Sequence, residues 1–303
     1  MKNQTLKKYG LYGISTALLT PFNRQKIDFV SLEKTVKTNL MAGVCSFVLF
    51  GSTGEHFSLT QDEKKEIFFA VKEIAQNKLP IICGVGSPST KRTLNDALIY
   101  KSYGADGLLI LPPFYYKCSD NGVIAHFFEI LNGAKMPSVI YNVPARTGYD
   151  LFEKRDVLTA VSANPYAVAV KLAEPDEKKA RLFTEKSPLP VLSGCDENNF
   201  TIFKSGGCGA ISVASNIFPA ETVKLFELSE TDEKQAEKYN NKLKPLFSAL
   251  NLESNPVPLK YLFSEIYGGQ NSLRLPLLPL TNENQKEADR LLQLLNKNLN
   301  EEN

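Results

Sequence analysis

Eight short apolar runs rich in β-branched residues recur along the chain, and this recurrence most narrows the folds open to it. They are GISTALLTPF (13–22), SFVLFG (46–51), LPIICGVG (79–86), GLLILP (107–112), PSVIYNVP (137–144), YAVAVK (166–171), LPVLSG (189–194) and CGAISVAS (208–215). A run without polar alternation suits a strand buried on both faces, as in a parallel sheet. Helical patterns lie between the runs. Asp28 is a candidate N-cap for a helix over 29–42, and Thr60 with Glu63 makes a capping-box signature before a helix over 61–76. Further patterns cover 90–103, 122–131, 154–163, 176–186, 198–204 and 219–228. Eight strand-then-helix units in roughly 220 residues have the arithmetic of an α/β fold of the (β/α)8 TIM-barrel type. A doubly wound sheet is the alternative, but it rarely repeats so evenly. Helical stretches at 233–250, 258–267 and 284–298 then predict a C-terminal helical extension over 229–303, after a catalytic barrel over 1–228. The extension reads equally as extra packing or as part of an assembly surface. The tail NKNLNEEN (296–303) is expected to fray.

Composition removes several function classes. Hydrophobic residues make up 43% and charged residues 22% of the 303, with a net charge of +2. That charge is too small to predict nucleic-acid or membrane binding. The opening MKNQTLKKYG is basic, but no long apolar segment follows it, so neither a signal peptide nor a membrane span is expected. The five cysteines form no CxxC pair and are odd in number, which fits free thiols in a reducing cytoplasm. His56 and His126 are the only histidines, so zinc sites and histidine triads are poorly supplied. Each reads as a surface or packing residue.

Barrel enzymes work at the C-terminal ends of their strands. Those ends carry Gly51-Ser52-Thr53-Gly54-Glu55, Pro112 to Tyr116, Tyr141 to Thr147, Lys171, and Ser212 with Ser215. An amine, phenols, hydroxyls and a guanidinium without a carboxylate or imidazole cluster make a poor metal site and a set suited to binding a carbonyl. Lys171 ends an apolar strand. Only a neutral amine attacks a carbonyl, and at an ordinary lysine pKa of about 10.4 fewer than roughly one in a thousand are neutral at pH 7. Apolar surroundings favour the neutral form, and Ala167 to Val170 provide them. On this pattern alone the blander reading stays ahead: Lys171 snorkels to water or pairs with Glu174. Strands five and six are neighbours about 4.8 Å apart, which brings the Tyr141 phenol near that amine. Ser52-Thr53 reads as an ordinary turn or as an anion site of hydroxyls and backbone N–H groups. It is not a Walker loop, since no lysine follows its second glycine. GVGSPS (84–89) lacks the third glycine of a dinucleotide fingerprint, and GGCG (206–209) suits a tight turn at the barrel bottom.

TALLTPF (16–22), GSTGE (51–55), PPFYY (112–116), YNVPARTG (141–148), the lysine ending strand six, and GAISVASN (209–216) are specific in combination. With them the chain resembles the dihydrodipicolinate synthase / N-acetylneuraminate lyase family from about residue 12 to 299, and most closely its synthase branch. The resemblance implies a (β/α)8 barrel with a C-terminal helical extension and a lyase that needs no metal or cofactor. Such enzymes form a Schiff base with pyruvate and are usually homotetramers, dimers of dimers. By the same resemblance Lys171 condenses with pyruvate and Tyr141 relays protons at the imine. Ser52 links Tyr141 to Tyr115, and Tyr115 reaches into the neighbouring subunit's site. Thr53 and the backbone beside it hold the pyruvate carboxylate, while Ile211 and Gly194 line the pyruvate pocket.

Arg146 matches the arginine that binds the carboxylate of aspartate semialdehyde, which sialic-acid lyases usually lack. A guanidinium suits a planar carboxylate. The resemblance therefore implies condensation of pyruvate with aspartate semialdehyde, in lysine biosynthesis. Three residues depart from the synthase pattern: Ser52 stands for threonine, Leu172 for an acidic or amide residue, and Cys195 for aspartate. They keep N-acetylneuraminate lyase and 2-keto-3-deoxy sugar acid aldolase as alternatives, with a non-catalytic binding barrel more distant. At the positions matching the lysine-feedback site stand Gln61, Lys64, Pro88, Arg92 and Phe114. Two cations there would repel the ammonium groups of lysine, so weak or absent feedback is expected.

Overall fold

The computed structural model describes residues 2–301. Eight parallel strands close into a barrel in sequence order. They are β1 (Gly13–Ala17), β2 (Ser46–Leu49), β3 (Ile81–Val85), β4 (Gly107–Ile110), β5 (Ser138–Asn142), β6 (Ala167–Leu172), β7 (Val191–Ser193) and β8 (Gly209–Ser212). Each lies within one of the eight apolar runs, except that β6 extends one residue past its run to Leu172. β8 pairs with β1 to close the barrel, Gly13 opposite Gly209 and Ile14 opposite Ala210. The seam is tight: a Cβ on Gly209 (φ 146) would lie 2.0 Å from the Gly13 carbonyl oxygen, so only glycine fits. That gives GGCG its physical reason.

Residues along each strand alternate between two core layers. Ala17, Val48, Leu109, Val139, Ala169 and Ile211 fill the barrel interior. Phe47, Leu49, Ile140, Val170 and Leu172 face the surrounding helices. The expected helices form, with small shifts at their ends. Asp28 accepts from the amides of Val30 and Ser31 at 3.1 Å each to start Phe29–Ala42. Thr60 and Glu63 complete a reciprocal capping box before Gln61–Ile74. The helix expected over 122–131 spans Asp120–Ala134, because Ser119 caps it by accepting from the Gly122 amide at 3.2 Å.

Two stretches differ from expectation. Lys2–Lys8 is a helix, and Leu6 with Leu11 joins the interior cluster, stopping the N-terminal end of the barrel. The tail is not frayed through residue 300: helix Asn282–Asn300 runs through it, with Leu295 buried and Leu299 packed on the core. Apolar residues four apart keep that last turn docked. Residues 302 and 303 lie outside the described residues.

After the barrel helix Pro219–Thr231 come Glu233–Leu250, Val257–Tyr267 and Asn282–Asn300. The first of these packs on the barrel helix and on the third. Among the described residues no helix is long and apolar enough to cross a membrane, and no disulfide joins the cysteines.

Candidate active site

Lys171 stands directly opposite Tyr141 in the β5–β6 ladder, and Leu172 opposite Asn142. Residues in register on neighbouring strands point to the same face. Both Lys171 and Tyr141 therefore turn inward at the C-terminal end of the barrel, and the Lys171 Nζ lies 4.5 Å from the Tyr141 ring centroid. Lys171 is only 5% exposed. The pairing with Glu174 does not occur: Glu174 binds Lys179 at 2.9 Å, and Lys179 also binds Asp150 at 2.6 Å. Among the described residues no carboxylate forms an ion pair with Lys171. Leu172 faces the opposite way, fully buried in the outer layer, so this departure from the synthase pattern is a packing residue outside the pocket.

Lys171, Tyr141, Ser52, Thr53, Arg146 and Gly194 line one cavity of about 280 Å³. Gly194 is there for space. A Cβ on it would lie 2.6 Å from Lys171 Cε and 3.0 Å from Cγ. Ile211 is buried in the interior layer beneath this cavity and does not form its wall. Tyr115 is not brought to the site of its own chain: it is 87% exposed and lines no part of the cavity. Its backbone takes a left-handed conformation (φ 71), uncommon for a tyrosine. A second, more apolar cavity of about 450 Å³ shares Ser52, Tyr141 and Arg146 with the first and is walled by Phe57 and Phe114.

The turn carrying Ser52 and Thr53 is closed by its own backbone: the Gly54 amide donates to Gly51 O (3.2 Å) and the Glu55 amide to Ser52 O (3.1 Å). Thr20 Oγ1 donates to the Gly54 carbonyl at 2.8 Å. Asn255, which sequence reasoning missed, reaches in from the extension. Its Nδ2 donates to Thr53 Oγ1 at 3.0 Å, and its carbonyl accepts from Arg146 Nη2 at 3.1 Å. The only local signal was an Asn-Pro pair ahead of a helix; the contact depends on how the extension docks. Arg146 sits on the short helix Pro144–Thr147 with its side chain exposed at the mouth.

Other candidates prove structural. Ser212 Oγ donates to Asp196 Oδ1 at 2.6 Å, and the Val213 and Ala214 amides donate to Asp196 Oδ2 at 2.8 Å each, pinning the end of β8. Cys195 lines the cavity; burial and the nearby Glu197 carboxylate push its thiol far above the usual cysteine range. His56 and His126 are buried packing residues, and burial lowers them to about 3 and about 4. At the feedback positions Lys64 is buried, which lowers its pKa, while Gln61 Nε2 donates to Asp96 at 3.0 Å.

Residues 10–295 match the model of the Dihydrodipicolinate synthetase family. The chain belongs to that family. It is an enzyme of the lyase type. The 4-hydroxy-tetrahydrodipicolinate synthase of Macrococcus caseolyticus is 32% identical over 289 residues, 94% of this chain and 95% of that one. Among solved structures, the 4-hydroxy-tetrahydrodipicolinate synthase of Methylacidiphilum fumariolicum SolV superimposes with a TM-score of 0.90 at 30% identity, covering 96% of this chain and 97% of that one. The chloride-inhibited dihydrodipicolinate synthase of Acinetobacter baumannii, complexed with pyruvate, gives a TM-score of 0.88 at 31% identity, covering 94% and 98%. Family membership and the closed eight-stranded barrel agree.

Proposed function

We propose that the chain is a Schiff-base, pyruvate-dependent lyase: a 4-hydroxy-tetrahydrodipicolinate synthase that condenses pyruvate with aspartate semialdehyde in lysine biosynthesis, in the cytoplasm. The observation that carries this reading is a buried Lys171 in register with Tyr141, in a cavity that also holds Ser52, Thr53 and Arg146. The neutral Lys171 amine attacks the pyruvate C2 carbonyl. Loss of water from the carbinolamine gives an imine. A proton leaves C3, and the enamine adds to the aldehyde carbon of the second substrate. The amino group of that substrate then closes on C2 and releases Lys171. The Tyr141 phenol is the nearest group on the neighbouring strand to carry these protons. Thr53 and the turn amides hold the pyruvate carboxylate, and Gly194 gives the lysine room. Arg146 receives the carboxylate of the aldehyde.

Tyr115 supports a dimeric catalytic unit. A phenol this exposed, outside its own chain's cavity, supports the reading in which it enters a second copy's site and Ser52 links it to Tyr141. A homotetramer built as a dimer of dimers contains that unit. Ser52 in place of threonine favours the second reading, N-acetylneuraminate lyase or 2-keto-3-deoxy sugar acid aldolase. Borohydride trapping with pyruvate and peptide mass mapping tests the first step. An adduct on Lys171 is expected, and its absence would remove the proposal. A panel of aspartate semialdehyde, sialic acid and 2-keto-3-deoxy sugar acids then separates the two readings.

A further inference from the structure

The helix Val257–Tyr267 of the extension buries a lysine that the chemistry above does not use. Lys260 is 2% exposed. Its Nζ forms an ion pair with Glu55 Oε1, donates to the Ser272 carbonyl at 3.0 Å, and lies 3.9 Å from the Phe22 ring centroid. The second Glu55 oxygen accepts from the Arg274 amide at 3.1 Å. Arg274 is itself held by Glu63 and by the Ser58 carbonyl, the latter at 2.8 Å. Glu55 belongs to the turn that carries Ser52 and Thr53, and its own backbone is left-handed (φ 51).

Burying two full charges is expensive, and an apolar pair of the same volume often stabilises a fold as well or better. Packing alone therefore gives no reason for an ammonium and a carboxylate here. A charged pair supplies direction: it fixes where the turn sits against the extension. The extension also holds the turn a second time, through Asn255 on Thr53. These two contacts flank Gly54, whose carbonyl is held from the barrel side by Thr20. The turn is thus gripped from both sides.

We propose that Lys260 is a positioning residue, which through its buried pair with Glu55 sets the turn so that Ser52 and Thr53 face the pyruvate bound at Lys171. This rests on the proposed function in taking pyruvate as the ligand. The test uses the full chain carrying Lys260→Met and Glu55→Gln together, which removes both charges and leaves neither unpaired. Two quantities are read: the pyruvate concentration for half-maximal borohydride trapping at Lys171, and amide hydrogen exchange across residues 51–56. The half-saturating concentration should rise about tenfold, the equivalent of one misdirected hydrogen bond, with the trapped yield at saturation unchanged. Exchange in the turn should quicken by a similar factor while β5 and β6 keep their protection. A purely structural role would lower the melting temperature and leave the half-saturating concentration where it was. Glu55→Asp is the second variant: it keeps both charges and draws the carboxylate back by one methylene. It should raise the half-saturating concentration in the same direction, so that folding of the double variant is not required. Unchanged half-saturation and unchanged exchange in either folded variant would overturn the proposal. If the unaltered chain forms no adduct, the pyruvate reading fails, and the exchange measurement alone decides whether Lys260 sets the turn.

Discussion

Gly194→Ala should disable Lys171, the nucleophile proposed above, while leaving the barrel folded. The new methyl carbon would stand 2.6 Å from Lys171 Cε, 3.0 Å from Lys171 Cγ and 3.1 Å from the Leu172 carbonyl oxygen. Carbon atoms in contact settle at about 3.5–4.0 Å, so Cε must retreat by about 1 Å. The backbone oxygen needs to give only a few tenths of an ångström. The strain therefore falls on the flexible lysine, and the loss of stability should be about 1–2 kcal/mol. Displacing a reacting atom by about 1 Å can cost about 100-fold in rate, or roughly 2.7 kcal/mol of activation free energy. Rapid-quench trapping of the pyruvate adduct gives that rate, and thermal melting followed by circular dichroism gives the stability. The expected result is adduct formation slowed about 100-fold in a protein melting within a few degrees of the parent. A folded variant that traps pyruvate within a factor of two of the parent rate would refute the packing argument. So would a variant that fails to fold, since the clash would then have been taken up by the strands.

Arg146→Ala should leave adduct formation intact and cut turnover with aspartate semialdehyde by about 10- to 100-fold, the worth of a charged hydrogen bond, as read from kcat/KM for each substrate. Equal losses in both steps would make Arg146 a structural residue. His56 and His126 predict an acid limb in stability: burial holds them at about 3 and about 4, so only the unfolded chain takes up their protons just below pH 6.5. Their contribution is complete above about pH 6.5, and each should lose about 1.4 kcal/mol per pH unit below it. Urea unfolding at pH 6.5 and pH 5 should therefore differ by about 3 kcal/mol, and about half of that difference should vanish in His126→Gln. Finally, the paired cations Lys64 and Arg92 predict that sub-millimolar lysine leaves turnover unchanged, and full inhibition in a steady-state assay would contradict this.

The barrel was legible because each strand wrote itself as an apolar run of its own, and two helices began with caps, Asp28 and Thr60, that could be named. Strand polarity alone put Tyr141 and Lys171 at the same end. The sequence could not show which of two adjacent residues faced inward. Leu172 looked anomalous beside the lysine for that reason, and the alternation of a barrel strand turns it into ordinary packing. Lys2–Lys8 was missed because one apolar residue, Leu6, does its anchoring. Asn255 and Lys260 were illegible for a deeper reason. Their partners, Thr53 and Glu55, lie some two hundred positions away, and only the docking of the extension brings them together.

That separation has a consequence in time. Thr53 and Asn255 are 202 residues apart. A ribosome adding about 5–20 residues per second needs roughly 10–40 s to cross that interval. Throughout it the nascent chain carries the Ser52–Thr53 turn without the two side chains that grip it from the extension. Strand pairing can begin meanwhile, and β8 emerges well before the chain reaches Lys260. The newborn protein therefore acquires the outline of its barrel first and a fixed Ser52–Thr53 turn later, with the Glu55 carboxylate awaiting its partner until residue 260 has been made.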